Sequence, residues 1–542
     1  MTQPSLSRQE RFTIALLILI AFLARLALLQ VDRVVWGDEP FYLWLGRNWI
    51  TGQGYSFTGH PDVHHTPGYP FLTGIIYPLT HNMELSSDLC YLVFGSLLPL
   101  PIYLITRRIY GPPATFAGLL AALYPALTGA ILRWGTLTEA PYYTLVYSGL
   151  YACLVALEDE RRWAYALAGA LFGAAYLVRP EAIGYIVVLF LFLSAMKLFS
   201  RRLFHRPVLA GLVLFAASAA LFVLPYAAYT AYHTGHWMIT EKAGVTFETG
   251  IGLAYGNTAA FDKSTWRLDS TGKEVYFFSP ESYLVEVGGA TITRTAFVKL
   301  ILRNSWAFIE LLFTWRLFPY FFLIPVGLAL FQKPWDRLYL QRQLFMVASI
   351  APVLGFVLFF VQERYIAAVL PGLLVWLGAG LWELGRWLSD TATQLRLPGA
   401  MPKVIRSFLN LIPLLFVLVY CLAMQPNMLN KTSTGSWRPA HKEIGLWLRD
   451  KVTPDTVIMS RYPAIAFHAD TKWAATPNAE VGEITDYLQA KNVRYWVLDE
   501  REVRLRPQFE GLISGEAVPA WLRLIYSETL QGERMVVYEV ML

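Results

Sequence analysis

Charge is scarce in this chain. Asp, Glu, Lys and Arg make up 15% of its 542 residues, where a soluble protein carries about a quarter. Cysteine is scarcer: Cys90, Cys153 and Cys421 are the only three, and each lies in or beside an apolar run. That placement argues against a disulfide framework and against a thiolate metal site. No Walker sequence, no glycine-rich dinucleotide fingerprint and no serine elbow occurs, so nothing marks a nucleotide pocket or an acyl-transfer nucleophile. Internal repeats of about 20–50 residues are also missing. The net charge is +6, but the basic residues sit in short bridges between apolar runs. Such a distribution orients helices in a membrane and leaves no footprint for nucleic acid.

Apolar length is what the chain has. Hydrophobic residues make up 55%, and the mean hydropathy is +0.41. Apolar runs of about 18–25 residues recur between short polar bridges, the sequence form of spanning helices. The first, "FTIALLILIAFLARLALL", is too long for a signal-peptide core, carries Arg25 and lacks a small-residue cleavage site, so it reads as a retained helix. The pattern predicts about eleven spans, at 12–31, 87–106, 113–132, 140–157, 163–179, 182–199, 207–231, 317–332, 344–361, 365–385 and 404–424. Alternate bridges are basic, as in "RRIYG" (107–111) and "KLFSRRLFHR" (197–206), and the positive-inside rule turns these and the N-terminus toward the cytoplasm. The other set then faces outward: 32–86, 133–139, 179–181, 232–316, 362–364 and everything after about 425. An odd number of spans puts the termini on opposite sides, in agreement with the charge pattern. Past 425 the composition becomes that of a soluble protein. "TVIMS" (456–460) and "VRYWVLDE" (493–500) predict strands, and "HKEIGLWLRDKV" (441–452) and "EITDYLQAK" (483–491) predict amphipathic helices. The expected division is a membrane domain over 1–424 and a small α/β domain over 425–542.

Ionisable residues collect at the outer ends of these spans. Asp38 and Glu39 follow the first span at once and precede "FYLWLGRNWI" (41–50), where Phe41, Leu45 and Trp49 recur at helical spacing and Trp44 and Trp49 suit a membrane interface. The two acids either cap this helix or supply a base at headgroup depth, where a lipid-borne substrate would meet an acceptor from the water side. In "HPDVHHTPGYP" (60–70), His60, His64 and His65 with Asp62 offer metal-ligand chemistry, although a proline-turned loop explains the spacing as well. Glu139, just ahead of Pro141, either caps the next helix or adds a second carboxylate on the same surface. Arg179 and Glu181 read as an ion pair at a tight outer turn. Arg364, with Glu363 and Tyr365, either snorkels or holds a phosphate, whose oxygens match its planar fork. The outer segment 232–316 is long enough to be a lid or binding loop, and Lys242 lies in its most polar part.

Taken together, Asp38-Glu39 after the first helix, Tyr42, "GQGY" (52–55), "TPGYPFL" (66–72), "TEAPYY" (138–143), "RPE" (179–181) and "ERYIAAVLP" (363–371) resemble a known group. The order and sidedness of these pieces, over roughly residues 10–385, resemble the bacterial glycosyltransferase family 39 branch of the GT-C superfamily. That branch is similar to protein O-mannosyltransferases and to the lipid A aminoarabinose transferase. The resemblance implies a polytopic α-helical membrane protein of the GT-C type with about 11 transmembrane helices and a small C-terminal α/β domain on the outer face. It would lie in the bacterial cytoplasmic membrane, with its N-terminus cytoplasmic and its C-terminus periplasmic.

The activity implied is inverting transfer of a sugar from a polyprenyl-phosphate donor to a lipid, polysaccharide or protein acceptor. Asp38 matches the family's general base, Glu39 its adjacent acid and Glu139 its second outer-loop acid. Arg364 corresponds to the late arginine near the donor phosphate, with Lys242 and Arg179 as further phosphate candidates. Tyr42, Tyr55, His65, Tyr69 and Tyr365 are the expected substrate-lining residues. The tract "HTPGYP" departs from the family's "PPLYP", which changes local contacts. No cofactor is expected; a divalent metal on His60, His64 and His65 is the minor alternative. A carrier of lipid-linked sugars and a non-catalytic envelope-assembly subunit are the competing readings. Clustering of ionisable residues at one face, with Arg25 the main exception, favours surface chemistry over a transport path at the bilayer midplane.

Overall fold

The computed structural model describes residues 5–29, 34–35, 37–57, 60–135, 137–241, 258–284, 294–394, 403–429 and 438–542. Among the described residues, eight helices are long and apolar enough to cross a membrane: Arg8–Leu28, Met83–Ile109, Glu139–Asp159, Pro180–Phe199, Arg206–Thr234, Arg337–Leu358, Glu363–Gln394 and Ile405–Asn427. Three shorter apolar helices, Ala114–Leu123, Arg162–Val178 and Tyr320–Leu330, occupy the other expected positions. The chain is therefore a multi-pass integral membrane protein. Its first helix, α1 (Arg8–Leu28), opens with a capping box between Ser7 and Glu10. Ile14, Leu17, Ala21 and Arg25 face the bundle, while Phe12, Leu16, Leu19 and Leu23 remain exposed as hydrocarbon-compatible surface.

Two helices lie in the first long connection, α2 (Glu39–Ile50) and α3 (Gly68–Thr80). They cross at Gly46 and Gly74. A Cβ added at Gly46 would run into the Pro70 carbonyl oxygen, and one at Gly74 would meet the Gly46 carbonyl at 2.7 Å. Only glycine lets the two backbones approach this closely.

The next apolar run forms α4 (Met83–Leu97) and α5 (Pro99–Ile109). The span predicted over 113–132 is not continuous. The helix α6 (Ala114–Leu123) ends at an extended Tyr124, a single 3-10 turn covers Pro125–Leu127, and α7 (Gly129–Trp134) resumes. Such a break inside an apolar bundle leaves carbonyls that need new donors. Arg25, the one charge in the middle of the first span, supplies them: Nη1 donates to Ala122 O and Nη2 to Leu127 O, each at 3.1 Å. Tyr91 adds a bond to Thr128 O at 3.3 Å, and Gln425 one to Leu123 O at 3.4 Å. Gly95 makes room, since a Cβ there would collide with the Arg25 side chain. The chain then continues through α8 (Glu139–Asp159), α9 (Arg162–Val178), α10 (Ile183–Phe199) and α11 (Arg206–Thr234).

Beyond 425 the structure carries a five-stranded sheet in the order β2-β1-β3-β5-β4. The strands are β1 (Val457–Ser460), β2 (Lys472–Ala475), β3 (Val493–Asp499), β4 (Leu522–Leu530) and β5 (Glu533–Val540). β2, β1 and β3 run parallel, and β5 and β4 add an antiparallel edge. β1, β3 and the helices Pro439–Arg449 and Thr485–Ala490 fall on the predicted segments. The sheet also packs against residues that precede it by hundreds of positions. Phe41 and Trp44 of α2, with Val275 and Phe278 of the segment 258–284, share one buried core with the sheet. Trp44 is therefore covered by protein rather than placed at a membrane interface, while Trp49 stays exposed. A polar lock accompanies this core. Asp262, on the helix Thr258–Thr265, pairs with Arg461, accepts from Arg506 Nε at 2.9 Å and from Asn478 Nδ2 at 2.9 Å.

Candidate active site

The acids of interest stand at the starts of two helices. Asp38 is the N-cap residue of α2, but its side chain makes no capping bond, so that simple explanation of the acid does not hold. It is half-buried. Glu39 is fully buried and accepts a hydrogen bond from Ser87 Oγ at 3.3 Å. Glu139, also fully buried, begins α8 and reaches across to the α9–α10 turn. There Arg179 Nη1 lies 2.6 Å from Glu139 Oε1, and its Nη2 lies 3.0 Å from Glu181 Oε1. The expected Arg179–Glu181 pair is thus one arm of a larger cluster.

A tyrosine joins the cations. The Arg179 guanidinium carbon sits 5.3 Å from the Tyr365 ring centre and 5.4 Å from that of Tyr142. Arg364 approaches the Tyr365 ring at 5.0 Å, and its Nη2 donates to Tyr365 Oη at 3.1 Å. All three approaches lie within the roughly 6 Å reach of a cation over an aromatic ring. Tyr143 Oη donates to Arg364 O at 3.2 Å, and Phe356 stacks on Tyr365 at 4.5 Å. The negative charges of Glu139 and Asp38 both bear on the Arg364 guanidinium. Arg179 keeps its charge: burial pushes its pKa down, but Glu181 and Glu139 outweigh burial and raise it.

Next to this cluster, the loop 60–68 brings together most of the aromatic candidates. His65 Nδ1 lies 3.1 Å from Asp62 Oδ1, and its backbone N–H donates to the same oxygen at 2.8 Å. Burial pushes the Asp62 carboxyl up, yet the neighbouring His65 and His64 rings more than reverse this and leave it below the usual carboxylate range. Tyr55 Oη donates to His65 O at 2.8 Å, and burial together with Asp62 raises its own pKa. The Tyr42 ring meets His65 and Tyr69 edge-on, at 5.1 and 5.6 Å.

The three histidines do not form one donor set. His64 pairs with Glu241 and stacks on Phe277 at 4.7 Å, His65 takes Asp62, and His60 is exposed, 3.9 Å from Glu274. Among the described residues, the one compact group of metal-type ligands is His441, Asp499 and Glu533 in the sheet domain. Lys242 lies outside the described residues.

Two contributors were not singled out from the sequence. Arg133, at the end of α7, pairs with Glu363 at 2.5 Å, and Tyr142 lies under Arg179. Both lie inside one stretch, "RWGTLTEAPYY" (133–143). Their partners, Glu363 for Arg133 and Arg179 for Tyr142, lie far along the chain, so only the distance across the bundle reveals them.

Known proteins can now be set beside this arrangement. Residues 64–226 match the dolichyl-phosphate-mannose-protein mannosyltransferase family. The resemblance to protein O-mannosyltransferases expected from the sequence is borne out over this segment. ArnT from Cupriavidus metallidurans bound to undecaprenyl phosphate has the same fold, with a TM-score of 0.53, 14% identity and 97% of each chain covered. Its apo form gives 0.51, 13% identity and the same coverage. The Archaeoglobus fulgidus oligosaccharyltransferase, tethered to an acceptor peptide, gives 0.50 and 14% identity over 90% of this chain and 68% of its own. No curated protein matches the chain. The mannosyltransferase-like segment starts in the His64 loop and runs through α8, Glu139, Arg179 and most of α11.

Proposed function

We propose that this protein is a GT-C membrane glycosyltransferase that takes a sugar from a polyprenyl-phosphate donor. We further propose transfer on the outer face of a bacterial cytoplasmic membrane, with inversion at the anomeric carbon. The observation that carries this reading is Asp38, a half-buried acid whose side chain makes no capping hydrogen bond and whose charge acts on the Arg364 guanidinium. Support comes from the family match, and from an ArnT of the same fold that binds undecaprenyl phosphate. The outward orientation rests on the basic bridges at the opposite ends of the spans.

In this mechanism the acceptor oxygen attacks the anomeric carbon as the bond from that carbon to the phosphate oxygen breaks. The proton of an attacking hydroxyl passes to Asp38. The lipid phosphate leaves with an added negative charge, which Arg364 stabilises from a preorganised position. Inversion follows because base and leaving group stand on opposite faces of the sugar. Arg179, already shared by Glu139 and Glu181, holds the Tyr365 ring in place rather than taking the phosphate itself. Lys242 is retained as a second phosphate ligand, with Tyr42, Tyr55, His65 and Tyr69 lining the approach. No cofactor enters these steps.

The test is release of polyprenyl phosphate from a panel of labelled polyprenyl-phosphate sugars in liposomes, with wild type beside Asp38→Asn. Asp38-dependent release with any donor supports the transferase and identifies its sugar. Binding of donors without release from any of them would favour a lipid-linked-sugar carrier instead.

A further inference from the structure

Arg364, to which the proposed function gives the donor phosphate, stands just after a break in the bundle. Two membrane helices, Arg337–Leu358 and Glu363–Gln394, meet through residues 359–362. The first ends in a 3-10 turn at Gly355–Leu358, and Phe359 leaves the helical region at φ −115° and ψ −97°. A helix that stops in this way leaves its last carbonyls without intrahelical donors, and apolar surroundings offer few substitutes.

Asn304 supplies the donors. It sits near the middle of the helix Arg294–Leu312, is buried, and its Nδ2 donates to Val357 O and to Phe359 O, each at 3.0 Å. An amide nitrogen carries two hydrogens, so one side chain holds both ends of this short stretch. The pinned residues alternate with two rings, because Phe356 precedes Val357 and Phe360 follows Phe359. Phe356 lies flat on Tyr365, with centres 4.5 Å and planes 5° apart, and Phe360 meets the same ring edge-on at 5.6 Å. Fixing the backbone at 357 and 359 therefore fixes the two phenylalanines, and they fix Tyr365 from two directions. Tyr365 Oη in turn accepts from Arg364 Nη2 at 3.1 Å. On the far side of the break, Arg133 holds Glu363, the residue before Arg364.

We infer that Asn304 is a positioning residue for the donor phosphate: it pins the 357–359 backbone so that Phe356 and Phe360 clamp Tyr365, and Tyr365 aims Arg364. The inference rests on the proposed transferase function. It adds a residue outside the mannosyltransferase-like segment 64–226, on a helix that carries none of the proposed reacting groups. A role in packing alone would weaken the whole site without preference. A positioning role acts on the phosphate and spares the lipid tail, because what it orients is a guanidinium.

The full-length protein in lipid nanodiscs is titrated by calorimetry with farnesyl phosphate and with farnesol, which share a polyprenyl tail and differ in the phosphate. Wild type is expected to prefer the phosphate. Asn304→Leu, close in size but without the amide, loses about tenfold in farnesyl phosphate affinity and keeps its farnesol affinity. In an Arg364→Ala background the same substitution removes nothing further, since the group it positions is gone. Phe360→Leu keeps the Asn304 bonds, loses the edge contact to Tyr365 and shifts the preference in the same direction, so it carries the test if Asn304→Leu does not fold. An undiminished phosphate preference in the folded variants, an equal loss for both ligands, or a full further loss in the Arg364→Ala background overturns the inference. A wild type that does not distinguish the phosphate from the alcohol overturns the donor reading itself, and this inference with it.

Discussion

Arg179 and Glu139, forty residues apart in sequence, stand 2.6 Å apart in a buried ion pair and tie the start of α8 to the α9–α10 turn. Removing one partner strands a charge where water is excluded. Arg179→Met is expected to destabilise the protein by about 3–5 kcal/mol, and Glu139→Gln by less because Glu181 still faces the guanidinium. The double variant should lose less than the sum of the two. Thermal unfolding in detergent across this cycle measures the coupling; strict additivity would disprove it.

Arg25 serves the break between α6 and α7 rather than a transport path. Arg25→Met leaves the Ala122 and Leu127 carbonyls without their donor, at about 1–3 kcal/mol each. The expected outcome is lower thermal stability and lower turnover together, since α7 leads into Arg133 and the Glu139 helix. Unchanged stability would show that the break holds itself.

Trp473 packs its ring 5.3 Å from Phe41, three residues beyond Asp38. Trp473→Ala is expected to cost about 3–5 kcal/mol and to loosen α2. Amide hydrogen exchange over 39–50 should rise, and turnover should fall although no proposed reacting residue is altered. Exchange confined to the sheet would separate the sheet from α2.

Glu502 gives the sheet domain a pH dependence of definite sign. Burial and the nearby Asp499, against the opposing pull of Arg506, raise its pKa from 4.5 to about 8. The folded state thus keeps a proton that the unfolded chain releases near 4.5. This contribution to stability is present below that pH and is lost as pH rises toward about 8. Glu502→Gln, neutral throughout, should flatten that part of the stability curve; an unaltered slope would assign it to another group.

Much of this architecture could be read from the sequence because its cause is local. Apolar run length located the spans, and short runs rich in β-branched and aromatic residues located β1 and β3. The strands β4 and β5 are less legible: β4 is mostly exposed, and β5 (ERMVVYEV), though mostly buried, opens and closes among charged residues. β2 is four residues long and begins at an exposed lysine. The α6 break was hidden because Tyr124-Pro125 sits inside an otherwise unbroken apolar run, and what sustains it comes from Arg25, some hundred residues earlier. For the site, Asp38, Glu139, Arg179 and Arg364 could each be named as ionisable residues at a membrane edge. That Arg179 would be claimed by two carboxylates, and that His60, His64 and His65 would each turn to a different acid, depends on distances between segments that no spacing along the chain records.

Arg47 of α2 and Asp470 are partners across 423 residues, and the same gap separates α2 from the sheet that completes its packing. During synthesis, α2 is among the first segments made, yet Trp473 and the strands around it come near the end. Until then Phe41 and Trp44 have no core to enter, and the helix carrying Asp38 and Glu39 lacks half of its support. A growing chain would therefore hold the Arg179–Tyr365–Arg364 cluster before Asp38 had a fixed position, and the competence proposed for the site would arrive late, as one of the final events of folding.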